Sequence, residues 1–130
     1  MERNIKLLTL FNFCTDLIFY APIAAIYFSQ VAGSYTLGMS AFSVVFIVSA
    51  LLEVPTGVFS DRIGRKNTII IGSCISFLSE LCLAITHSYG LLLLAAILAG
   101  VARSFFSGNN EAFLYETLKE RGKEKEFHTY

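Results

Sequence analysis

Residues 53–66 read Glu-Val-Pro-Thr-Gly-Val-Phe-Ser-Asp-Arg-Ile-Gly-Arg-Lys, a charged cluster with two glycines lying between two long apolar runs. Outward from it in both directions, charge almost vanishes. Between Leu7 and Leu52 the only formal charge is Asp16, and between Lys66 and Arg103 it is Glu80. A soluble helical bundle needs a charged face on each helix, and these runs have none. The composition agrees: 55% of the 130 residues are hydrophobic and 15% charged, against about 25% charged in soluble domains. Roughly 20 apolar residues cross a hydrocarbon core, which predicts an all-α integral membrane protein with four spans, near 7–28, 39–59, 68–86 and 91–115.

The basic residues are sided. Arg3 and Lys6 precede the first span, Arg62, Arg65 and Lys66 separate the second from the third, and Lys119, Arg121, Lys123 and Lys125 follow the fourth. The connections 29–38 and 87–90 carry no Lys or Arg. The positive-inside rule then puts both termini and the middle connection in the cytoplasm of a multi-pass cell-membrane protein, with 116–130 as a polar cytoplasmic segment. Tyr27, Tyr35 and Tyr89 fall near the expected outer interface and Tyr115 near the inner one. The first run is long, contains Asn12 and Asp16 and is followed by further spans, so it reads as a retained helix and not a signal peptide. Short connections predict that spans 2 and 3, and spans 3 and 4, are antiparallel neighbours. Pro22 and Pro55 each remove a backbone donor and should bend their helices. Cys14, Cys74 and Cys82 lack metal-ligand spacing and read as packing residues, so no metal or cofactor is expected.

Gly57, Asp61, Arg62, Gly64, Arg65 and Lys66 fit the pattern Gly, three residues, Asp-Arg, one residue, Gly-Arg-Lys/Arg. This resembles the loop between helices 2 and 3 of major facilitator superfamily (MFS) transporters. A phosphate-binding loop is excluded, because Gly-x4-Gly-Lys-Ser/Thr is absent. The glycine at 57 suits close approach of helix 2 to a neighbour. The resemblance implies that the loop is a conformational latch. Asp61 would contact the C-terminal half of a transporter when the cytoplasmic side is closed, and Arg65 would pair with an acid at the inner end of helix 4, where Glu116 is placed. These residues would gate transport without binding substrate.

A second group of candidates lies within the spans. A charge at a helix centre costs about 2.5–3.5 kcal/mol on insertion scales, which makes each a pairing or functional hypothesis. At about 1.5 Å per residue, Asp16 lies roughly 14 Å and Arg103 roughly 18 Å from the inner ends of their spans. The two are expected to face one another or share a polar cavity. Asn12, Asp16 and Tyr20 form one stripe. On span 4, Gly100, Ser104, Gly108 and Ala112 make a small-residue packing seam, beside a polar line of Arg103, Ser107 and Glu111 suited to a cavity or proton pathway. Residues 100–112 resemble the superfamily's helix 4 motif, an arginine followed by a glycine; that glycine comes four residues after the arginine in the motif and five here. The sequence assigns no role to Glu53 or Glu80.

The superfamily has two six-helix halves, each built from inverted three-helix repeats. The resemblance therefore implies that residues 1–130 form part of the N-terminal half of a secondary active transporter. Such a protein moves a small solute and is no enzyme; here the expectation is a proton-coupled exporter. Its expected partners are the lipid bilayer, a small-molecule substrate and the remainder of the transporter, with no nucleic acid. Two other readings stay open: a complete four-span carrier working as an oligomer, and a membrane scaffold or remnant that transports nothing.

Overall fold

The structure, a computed structural model, describes residues 7, 9–11, 13, 14, 17, 21–107 and 109. Its helices are α1 (Ala21–Ala32), α2 (Tyr35–Ile63), α3 (Arg65–Ala84) and α4 (Tyr89–Phe106). Three of them, α2, α3 and α4, are long and apolar enough to cross a membrane. Of the expected span 7–28, the later part lies in the 12 residues of α1, and the described residues 7, 9–11, 13 and 14 are helical as well. The bend expected at Pro22 depends on residues 18–20, which lie outside the described residues. Helix is the conformation these apolar runs must take, because lipid offers no partner for a free N–H or C=O. At about 1.5 Å per residue the 29 residues of α2 reach roughly 43 Å, beyond a hydrocarbon core of about 30 Å. The helix is therefore longer than the apolar layer alone requires. The helix continues through Pro55 without a break.

The turns are short and chemically marked. Gly33, with φ of +73°, and Ser34 join α1 to α2. Residues 85–88 join α3 to α4, where the Ser88 hydroxyl accepts the Leu91 N–H at 3.4 Å as an N-cap. The charged cluster is not a loop. A single residue, Gly64, separates α2 from α3 with φ of +88° and ψ of 144°, a region essentially closed to residues with a Cβ.

Small and hydroxylated residues are inside, and large apolar ones are outside. Ala41, Ala95, Ala102, Ser60, Thr68 and Ser104 are buried, whereas Leu51 and Val54 are 71% and 76% exposed. This inverts the soluble pattern and suits a bundle in which lipid covers the bulky side chains and small residues let backbones approach. A glycine sits at each main contact. A Cβ on Gly38 would lie 2.6 Å from the Ser29 nitrogen, on Gly72 2.9 Å from the Phe105 Cβ, and on Gly100 2.7 Å from the Val45 carbonyl oxygen.

The expected contact of spans 2 and 3 is present but minor. Helix α4 packs along both α2 and α3, which meet each other only sparingly. Gly100 and Gly72 explain the arrangement: α4 approaches α2 at the first and α3 at the second more closely than side chains would allow. A one-residue connection fixes how the ends of α2 and α3 meet, but not how the helices run afterwards. At the far end from Gly64, the turn end, Ala24, Phe28, Ala41, Leu92 and Ala96 form the apolar core. There the Tyr27 hydroxyl reaches the carbonyls of Leu83 and Thr86 at 3.2 and 3.3 Å, and the Ser40 and Tyr89 hydroxyls lie 2.8 Å apart.

Candidate functional site

The polar residues collect at the opposite, junction end, where α2 stops and α3 starts. Asp61 and Arg62 occupy the last turn of α2, and Arg65 and Lys66 the first turn of α3. Helix termini carry partial charges, positive at the N-terminus and negative at the C-terminus. The aspartate and the Arg65 guanidinium are thus each at the end that disfavours their charge. They offset one another: Arg65 Nη2 lies 3.1 Å from Asp61 Oδ1. Asp61 is 68% exposed and Arg65 25%, so the acid is accessible while the guanidinium is turned inward. Arg62, also in the last turn of α2, carries the charge that end favours.

Behind the pair is a buried network joining three helices. Asn109 is 2% exposed. Its carboxamide oxygen accepts from the Ser60 hydroxyl of α2 and from Arg65 Nη1 of α3, the latter at 3.0 Å. Its Nδ2 donates to the Phe105 carbonyl of α4 at 2.6 Å, which leaves the oxygen facing the two donors. One turn earlier on α2, the Thr56 hydroxyl sits 3.0 Å from the Ser104 carbonyl and 2.8 Å from that of Leu52, its one proton serving either. Ser60 and Ser104 are fully buried. In an apolar surrounding each of these bonds must be kept, since an unpaired buried polar group costs about 1–3 kcal/mol.

On an exposed strip shared by α2 and α4, the Ser107 hydroxyl donates to Glu53 Oε1 at 2.8 Å. The Arg103 guanidinium carbon stands 5.1 Å from the centre of the Phe46 ring, a cation–π distance. Bare charges on a spanning helix face water or another protein surface in preference to lipid.

The candidates from the sequence divide accordingly. Gly57, Asp61, Arg62, Gly64, Arg65 and Lys66 are all at the junction, and the structure brings Asp61 and Arg65 into contact. A Cβ on Gly57 would meet no described atom within 4 Å, so the close approach expected there has no counterpart among the described residues. Of the span 4 seam, Gly100 and Ser104 lie against α2. Asn12, Asp16, Glu111 and Glu116 lie outside the described residues, as do the proposed pairings of Asp16 with Arg103 and of Glu116 with Arg65. Glu80 is exposed on α3. Sequence reasoning missed Thr56, Ser60 and Asn109 as a connected set. The signal was there for two of them: Thr56 and Ser60, four residues apart, put two hydroxyls on one face of an otherwise apolar helix turn.

Apolar helices too long for a soluble core, small residues buried and charges gathered at one junction define a multi-pass membrane protein. The chain belongs to the Major Facilitator Superfamily, whose sequence model matches residues 7–124. It is 34% identical over 74 residues to an uncharacterized MFS-type transporter of Methanocaldococcus jannaschii, covering 57% of this chain and 19% of that protein. It is 37% identical over 81 residues to Multidrug resistance protein 2 of Bacillus subtilis, covering 60% of this chain and 20% of that protein. A third relative is the vesicular acetylcholine transporter unc-17 of Caenorhabditis elegans, 31% identical over 83 residues, 61% of this chain and 16% of that one. The matched region is thus a fifth or less of each relative's length. No solved structure matches.

Proposed function

We propose that the chain serves transmembrane movement of a small solute, as the N-terminal portion of an MFS secondary active transporter. The observation that carries this reading is the Gly64 junction. There Asp61 and Arg65 are each set against the dipole of their own helix and held by one another across 3.1 Å, an arrangement suited to a latch that exchanges partners. In this reading the junction end and both termini face the cytoplasm of the cell membrane, Asp61 engages the opposite half of the transporter in the closed state, and Arg65 holds it in place. A latch of this kind suits two states separated by a few kcal/mol. The polar strip of Glu53, Arg103 and Ser107 lines the solute pathway, together with Asn12, Asp16 and Glu111. Export coupled to protons is the direction we favour.

The test begins with the native product, tagged at its N-terminus at its own locus and run on a denaturing gel. A band about three times the 14.4 kDa of this chain, the ratio of twelve spans to four, supports the transporter portion; solute flux in vesicles, abolished by Arg65→Gln, completes the case. A band at 14.4 kDa with flux from an oligomer would replace it with a small carrier. A band at that size without flux would leave a scaffold.

A further inference from the structure

We propose that Asn109 is the positioning residue of the junction: a neutral, buried acceptor that keeps Arg65 docked against α4 while Asp61 changes partner. This rests on the latch reading given above and extends it to a residue which the junction motif does not contain.

Three observations carry it. Among the described residues, the guanidinium of Arg65 meets acceptors of opposite exposure, with Nη2 on Asp61, 68% exposed, and Nη1 on Asn109, 2% exposed. Only the first can reach a separate protein surface. Arg65 also sits in the first turn of α3, where the helix dipole disfavours a cation, so release of Asp61 would leave its charge less well compensated. An acceptor fixed within the bundle removes that difficulty. Finally, Asn109 is held at both ends of its carboxamide: Nδ2 donates to the Phe105 carbonyl, and Oδ1 is shared with Ser60. One carboxamide thus links α2, α3 and the end of α4, 49 residues from Ser60 and 44 from Arg65.

The neutrality of the group follows from the same requirement. A carboxylate at 109 would form a strong charge-assisted bond with Arg65 and draw it away from Asp61. An amide oxygen keeps the guanidinium in place and leaves the ion pair to Asp61. The bundle then moves as one body while its exposed acid is exchanged.

Limited trypsin digestion of the purified full chain in detergent tests this, because cleavage after Arg65 and Lys66 requires the junction to open. In Asn109→Leu, which keeps bulk and loses the acceptor, cleavage after Lys66 rises about tenfold, the effect of losing a hydrogen bond to a charged donor. In Asn109→Asp the acceptor toward Arg65 and Ser60 remains while the bond to the Phe105 carbonyl is lost, and cleavage stays well below that of Asn109→Leu. In an Arg65→Gln background, adding Asn109→Leu raises cleavage little further. A merely packing role would give a different pattern. Asn109→Asp would then be cleaved as fast as Asn109→Leu, or the two substitutions would act additively; either result overturns the proposal. If Asn109→Leu does not accumulate, Asn109→Asp decides alone, with slow cleavage supporting the anchor and fast cleavage refuting it. Digestion requires no transport, so absent flux with this pattern intact would sink the transporter reading and leave the anchor standing.

Discussion

The two ends of the bundle are built from different chemistry. At the turn end, α1, α2 and α4 meet through Ala24, Phe28, Ala41, Leu92 and Ala96, and the polar contacts are neutral, from the tyrosine hydroxyls of 27 and 89. At the junction end, α2, α3 and α4 meet through hydroxyls, an amide, a guanidinium and a carboxylate. Apolar burial has no preferred partner and changes little with modest displacement. A charged hydrogen bond is directional and can be handed to another acceptor. One end is suited to remain shut in every state and the other to switch, and substitutions matched across the two ends can break that contrast.

The largest expected effect is steric and tests whether the close approaches are real. Gly38→Ala puts a methyl 2.6 Å from the Ser29 nitrogen and 2.7 Å from the Phe28 carbonyl carbon, which are backbone atoms that cannot rotate away. Gly100→Ala meets the Val45 carbonyl oxygen at 2.7 Å. Each should lower stability by about 1–3 kcal/mol or more, seen as a fall in thermal midpoint in detergent. Gly57→Ala, with no described atom within 4 Å, should not destabilise. Equal losses at 57 and 38 would show that α1 and α2 do not pack as described.

Next come the hydroxyls. Ser60→Ala removes one of the two donors to a buried amide oxygen, and the bond lies within a charged network. Tyr27→Phe removes a neutral bond reaching two carbonyls at the turn end. We expect about 1–1.5 kcal/mol for the first and about 0.5–1 kcal/mol for the second, measured by the same thermal shift. A reversed order would mean that the junction is the looser end even at rest.

How much of this was legible in the sequence depends on range. Run length and charge spacing gave the helices, and the register of Gly57, Asp61, Gly64 and Arg65 pointed to the family and to the junction, because those features are local. The loop expected at 61–66 proved to be one glycine, since boundaries rest on a backbone torsion that Gly64 permits but does not announce. The placement of α4 between α2 and α3 depends on glycines at 72 and 100 finding Phe105 and Val45. No pattern within either helix names those partners. The bond between Ser60 and Asn109 is hidden for the same reason: Asn109 reads as one of two adjacent asparagines between Gly108 and Glu111 until the fold brings it beneath Arg65.

The smallest effect on stability belongs to the exposed acid, and its smallness is the point. Asp61 is 68% exposed, so its pair with Arg65 should contribute no more than about 1 kcal/mol, and less in high salt, where the Debye length falls to about 3 Å at 1 M. Asp61→Asn should therefore shift the thermal midpoint little. The effect of Gly38→Ala should not depend on salt at all. A latch must be cheap to release: an acid that stabilised the resting bundle strongly could not be surrendered to another surface. If Asp61→Asn destabilised the chain as much as Ser60→Ala, and did so equally at 0.05 and 1 M salt, the carboxylate would be a structural member of the junction. The exchangeable group would then have to be sought elsewhere, with Arg62 and Lys66, both exposed in the adjacent turns, the next charges to examine.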